Sequence, residues 1–157
     1  MASGNRRRGR EFALKMVYGL FDGKESIEAG IEDFWNNFRF QDDILGEPIE
    51  QIEEGKVHEE TRRFANEIVR GVAAHLDEID GMIGKFSTNW SLERMARVDL
   101  ALLRMTTFEL LYRSDIPANV AINEAIEIGK RYGSKETPAF VNGILDKISH
   151  ISRTKAV

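Results

Sequence analysis

Wound at about 100° per residue, the stretch 89–114, NWSLERMARVDLALLRMTTFELLYRS, is apolar on two opposite flanks. Val98, Ala101, Met105, Phe108 and Tyr112 line one flank, and Leu92, Ala96, Leu103 and Leu110 line the other. Two narrow polar seams run between them: Glu93, Arg97, Arg104 and Thr107 in one, Asp99, Thr106, Glu109 and Arg113 in the other. A surface helix shows a single stripe, so a helix with two needs neighbours on both sides and is expected at the centre of the fold. Ser91 suits its N-cap, and Pro117 stops the chain just beyond it.

The rest of the chain reads as helices that could surround such a centre. From about Gly9, Ala13, Met16, Val17 and Leu20 make one stripe flanked by Phe12 and Phe21, and Asp22-Gly23 ends it. Arg7, Glu11, Leu14 and Tyr18 fall on another face, which turns Tyr18 away from the stripe's centre. Ser26 is a second N-cap, before Ile27, Ile31, Phe34, Trp35 and Phe38. Residues 41–57, with Gly46, Pro48 and Gly55 among many acids, read as a loop. A long register from Phe64 through Ala65, Ile68, Val69, Val72, Leu76, Ile79 and Ile83 carries Gly71, Gly81 and Gly84, so a bend or split near one of them is expected. After Pro117 a helix uses Val120, Ala121, Ile122, Ala125, Ile126 and Ile128 and is capped by Gly133. Thr137-Pro138 reads as N-cap and first helical residue of the last helix, on Val141, Ile144, Leu145, Ile148 and Ile151. No segment alternates with period two, so the fold class is all-α.

Charge is segregated. Residues 22–60 hold 13 of the 26 acids and three bases, a net of −10, while the remainder carries 19 bases against 13 acids. The overall −4 therefore does not argue against an anionic partner. With no cysteine, disulfides, thiolate metal sites and cysteine nucleophiles are excluded. No run approaches the roughly 18 apolar residues of a membrane span, and FALKMVYGLF after the first arginines is interrupted by Lys15, unlike a secretory signal. A cytoplasmic protein is expected, with no membrane partner. His58, His75 and His150 share no ligand spacing, and His58-Glu59-Glu60 is an ordinary acidic helix start, so no metal is expected. GKRYGSK at 129–135 has only three residues between its glycines and fails as a phosphate loop. No nucleophile–base set is recognisable; neither an enzyme nor a cofactor is expected.

Arg6, Arg7, Arg8 and Arg10 place four guanidiniums within five positions beside a helix that turns Tyr18 outward, a cluster suited to phosphates or to solubility alone. Arg131-Tyr132 precedes a glycine turn, and Phe140 lies roughly 80° from the centre of its helix's stripe, a place that serves either a core residue or a stacking platform. Aromatics beside cations are what single-stranded RNA recognition uses, since every base offers a face to stack on.

RRRGREFALKMVY, RVDLALLRMTTFEL, IPANVAINEAIEIGKRYG and FVNGILDKI, in that order, resemble the bacterial transcription antitermination factor NusB family. The resemblance covers both ends and the middle. Residues 40–57 are longer and more acidic than is usual there, and Gly9 is expected to loosen the helical start of the arm. The resemblance implies about seven helices in two small packed bundles, approximately 1–87 and 88–157, within one RNA-binding domain. It implies no catalysis. It further implies single-stranded boxA leader RNA and the ribosomal protein NusE as partners, with other Nus factors and RNA polymerase engaged indirectly, notably on ribosomal RNA operons. By matching positions, Arg6, Arg7, Arg8 and Arg10 form the RNA arm, Phe140 and Tyr132 stack on bases, and Tyr18 and Asp99 fall on the partner face.

Two rival readings stay open on the residues. One is a non-catalytic helical homodimer whose basic arm only solubilises. The other is an RNA-binding accessory domain of a ribosomal RNA methyltransferase, in which case the chain is a fragment.

Overall fold

A computed structural model describes residues 2–20, 26–37, 59–87 and 91–154. These residues form seven α-helices and one 3₁₀ turn, and among them there is no strand. Phe21, Asp22-Gly23, Phe38 and the acidic 41–57 stretch lie outside the described residues. No helix is long and apolar enough to cross a membrane among those described.

The chain divides into two compact units, Met1–Ala73 and Ala74–Val157. The halves implied by the resemblance, 1–87 and 88–157, divide it one helix later. The difference is α4 (Leu76–Phe86), which is bound by side chains of the second unit. Its Asp80 takes a bidentate pair of hydrogen bonds from Arg104, both 2.9 Å. Its Glu78 accepts the Tyr112 hydroxyl, a bond that raises the phenol's pKa above the ordinary value. The long register breaks at His75, not at a glycine: φ −124° and ψ 28° take that residue out of the helix between α3 (Glu59–Ala74) and α4. The freed His75 ring stacks on Tyr112 at 4.0 Å between centroids.

In the first unit, α1 (Ala2–Leu20) departs most from expectation. It starts seven residues before Gly9, so the arginine arm is helical. Gly9 does not loosen it but lets α3 come close: a Cβ there would lie 2.9 Å from Phe64 Cδ2 and 3.2 Å from the Thr61 carbonyl oxygen. Every residue from Arg10 to Val17 is buried, the polar Arg10, Glu11 and Lys15 included, rather than one stripe alone. Long cationic side chains achieve this by laying their stems on apolar surface; Lys15 Nζ ends 5.6 Å from the Phe12 ring centre. Phe12 meets Trp35 and Phe34 of α2 (Ile27–Asn37) at centroid distances of 5.2 and 6.2 Å. The Ser26 hydroxyl caps α2 as expected, accepting the Ala29 N–H at 3.1 Å. Across to α3, the Trp35 indole N–H donates to Asn66 at 2.7 Å, and Arg70 grips Glu28 with two bonds of 2.7 and 2.9 Å.

In the second unit the central helix is shorter than the pattern suggests. Ser91 precedes only a 3₁₀ turn, Leu92–Arg94, with no side-chain cap. Met95 and Ala96 are extended, with ψ of 147° and 142°, and α5 runs Arg97–Tyr112. Leu92 is consequently half-buried and Ala96 exposed. Beyond them the two-flank expectation holds from Ala101 to Leu110, where all residues are buried except half-buried Arg104, but not at the ends: Val98 is half-buried and Tyr112, placed on one apolar flank by periodicity, is 41% exposed. Around α5 pack α4, α6 (Ala118–Tyr132) and α7 (Thr137–Thr154). Val120, placed in the α6 stripe by periodicity, points outward instead, 41% exposed. The carbonyls at and just beyond the end of α5 are met by Arg153 of α7, which donates to Leu110 at 2.9 Å, Ile116 at 3.0 Å, Arg113 at 3.2 Å and Glu109 at 3.3 Å. A cation at a helix C-terminus satisfies orphan acceptors and the macrodipole together.

Two expected outcomes follow from these contacts. Gly81 is exposed in mid-α4 with nothing within 4 Å of an added Cβ, so Gly81→Ala should stabilise by about 0.5–1 kcal/mol. Gly9→Ala, by contrast, should destabilise by roughly 1–3 kcal/mol, since the Thr61 backbone must yield. Urea titration of both variants checks the opposite signs. The second outcome concerns Glu28, whose carboxyl is held below the usual range chiefly by its hydrogen bonds from Arg70. A depressed carboxylate stabilises the fold above its unfolded pKa and loses that contribution as pH falls through the folded one. The melting-temperature gap between the parent and Glu28→Gln should therefore be present at neutral pH and close below about pH 4. It should also narrow in roughly 1 M salt, because the pair is exposed.

Candidate nucleic-acid interface

The four arginines of α1 share one helix but not one environment. Residues four apart lie on one face, so Arg6 and Arg10 both turn to α3, their guanidiniums 5.1 and 5.2 Å from the centre of the Phe64 ring. Arg8 lies 5.1 Å from Phe12, again four residues on. Only Arg7 is exposed; Arg6 and Arg8 are half-buried and Arg10 is buried. Tyr18 is half-buried on the line Arg7, Glu11, Leu14, Tyr18, about 16 Å along the axis from Arg7.

In the second unit, Arg131 is exposed with its guanidinium 5.2 Å from the ring of half-buried Tyr132. Lys130 and Arg131 also complement the dipole at the C-terminus of α6. Gly133 ends this helix, its N–H on the Gly129 carbonyl at 2.9 Å, but not in the left-handed conformation expected of a glycine cap: φ is −99° and ψ −168°. Close approach is what requires glycine here, for an added Cβ would lie 2.7 Å from Thr137 Cβ. Gly129, one turn earlier, meets the same side chain: its Cβ would lie 3.0 Å from Thr137 Cγ2.

Thr137 itself does not cap α7. It is the first helical residue, and its hydroxyl serves two other elements. Thr137 Oγ1 accepts the Ser134 N–H at 3.0 Å and donates to Asp99 Oδ1 at 2.6 Å. Asp99, placed in a polar seam by periodicity, is thus buried at 9% exposure and bonded to a wholly buried hydroxyl. Phe140 follows one turn into α7, half-buried, its N–H on the Glu136 carbonyl at 3.1 Å. Tyr132 and Phe140 therefore flank one tightly bonded turn. Sequence reasoning missed Thr137, Gly129 and Gly133 as a unit, although the four-residue spacing of the glycines on one helix face was a usable sign. Among the described residues no group of three or more His, Asp or Glu is placed to hold a metal ion.

These features define an all-α protein of two helical units, each pairing guanidinium groups with aromatic rings. A model of the NusB family matches residues 7–150. The chain is 64% identical over 153 residues to the transcription antitermination protein NusB of Syntrophotalea carbinolica, covering 98% of this chain and 97% of that one. It is 47% identical to the protein of that name from Geobacter sulfurreducens, covering 93% and 94%. Among solved structures, T. maritima NusB superposes with a TM-score of 0.74 at 35% identity, over 92% of this chain and 90% of that one. The antitermination factors NusB and NusE in complex with double-stranded RNA include a chain of the same fold, TM-score 0.73 at 21% identity, over 94% and 97%. The chain belongs to the NusB family.

The arginines separate by experiment as they do by burial. Arg10→Ala should destabilise by about 1–2 kcal/mol through lost packing of its stem and its ring contact. Arg7→Ala should stay within about 0.5 kcal/mol of the parent, as exposed substitutions do. Equal melting temperatures for the two variants would contradict the placement of Arg10.

Proposed function

We propose that this chain is a transcription antitermination factor that binds single-stranded boxA RNA together with NusE, and so supports transcription of ribosomal RNA operons. Through that complex it would engage other Nus factors and RNA polymerase. The observation that carries the reading is the 64% identity, over nearly the whole of both chains, to a protein named for transcription antitermination. A chain of the same fold occurs in a complex of NusB and NusE with double-stranded RNA, which supports the choice of NusE and RNA as partners.

In this reading Arg6, Arg7, Arg8 and Arg10 are the RNA arm. Arg7 is the most open to a phosphate, Arg6 and Arg8 stand beside it, and Arg10 holds the arm against Phe64. Phe140 and Tyr132 take bases by stacking. Their half-burial supports this role, because a stacking platform needs one face fixed and the other open. Tyr18 and Asp99 belong to the face toward NusE.

Titration with boxA-like single-stranded RNA at two salt concentrations, with and without NusE, tests the proposal. Phe140→Ala should weaken binding about five-fold or more, the low end of a stacked base. Replacing Arg6, Arg7 and Arg8 together by Ala should weaken binding and flatten the salt dependence by up to about one unit of slope for each lost phosphate contact. RNA affinity untouched by both changes would exclude these residues as RNA contacts.

A further inference from the structure

Asp99 and Phe140 are 41 positions apart in the chain, yet one side chain connects them. The Asp99 carboxylate takes the Thr137 hydroxyl at 2.6 Å, and both residues are buried. A hydroxyl–carboxylate bond of that length is charge-assisted and stronger than a neutral one. Thr137 opens α7, and Phe140 is its neighbour at i+3 on the helix surface.

The Thr137 side chain has one place to be. Ser134 N–H holds its oxygen at 3.0 Å, and the backbones of Gly129 and Gly133 leave no room for more than hydrogen at their own Cα atoms. With Thr137 locked against α5 and α6, the rotation of α7's first turn about its axis is set. That rotation decides where an aromatic on the same turn points. A side chain stands roughly 5 Å from a helix axis, so a turn of about 10° carries it by about 1 Å. Further along, α7 is held by Val141, Ile144, Leu145 and Ile148, all buried. Loss of the Thr137 hydroxyl would leave the helix docked and loosen only its start.

We infer that Asp99 and Thr137 form a positioning pair that aims Phe140 at the RNA base, neither of them touching RNA. The inference rests on the reading of Phe140 as a stacking residue. It gives Asp99 an influence on RNA binding by the protein alone, apart from any part it plays toward NusE.

The test is a double-mutant cycle read by RNA titration, with melting temperature and circular dichroism recorded for each variant. Thr137→Val keeps the shape and removes the hydroxyl, and should weaken RNA binding about three-fold or more. Thr137→Ser, which restores the hydroxyl, should recover affinity to within about two-fold of the parent. In a Phe140→Ala background Thr137→Val should cost nothing further, because there is no ring left to aim. Arg153→Ala removes a cross-helix bond set at the other end of α5 and serves as control: melting temperature should fall and RNA affinity should hold. Should Thr137→Val fail to fold, Thr137→Ala carries the same expectation. Phe140→Ala weakening RNA while Thr137→Val does not, or the two losses simply adding, would overturn the positioning pair and leave the RNA reading intact. No effect from Phe140→Ala would remove the positioning pair together with the stacking role of Phe140.

Discussion

A helix buried along most of its length cannot leave its polar groups there to water, so they have to be met from neighbouring helices. This constraint shapes the second unit around α5. Asp99 near its start is met by Thr137 of α7, Arg104 in its middle by Asp80 of α4, and its final carbonyls by Arg153 of α7. A buried polar group without a partner costs about 1–3 kcal/mol, comparable with a sizeable part of a small protein's net stability. The three contacts therefore fix which helix lies where and at what rotation. One group escapes the pattern: the Thr107 hydroxyl is fully buried with no partner, and nothing in the structure explains it.

The consequence for function is that the turn between α6 and α7 is set by buried chemistry rather than by its own loop. Glycines at 129 and 133 let Thr137 approach, Asp99 holds it, and the aromatic pair Tyr132 and Phe140 is displayed on either side. On the proposed reading, a stacking surface built this way would be ordered before RNA arrives, which limits the ordering cost of binding. In the first unit the same economy is reached differently. Arg6, Arg8 and Arg10 rest over aromatic rings, so the arm is held as helix against its neighbours.

Local periodicity was enough to determine the all-α class, the Ser26 cap and the central position of α5, because each depends on residues within a few turns of one another. It was also enough to single out Phe140 as an edge residue. The tertiary structure alone decided the rest. That α1 is buried all round from Arg10 to Val17 depends on stems of Arg10 and Lys15 lying against rings that only folding brings near. That Asp99 answers to a threonine, and that glycine is required at 133 by Thr137 and not by its φ, depends on contacts between helices widely separated in the chain. Periodicity tells which face a residue shares with its neighbours; it does not carry the identity of the face that will be packed against it.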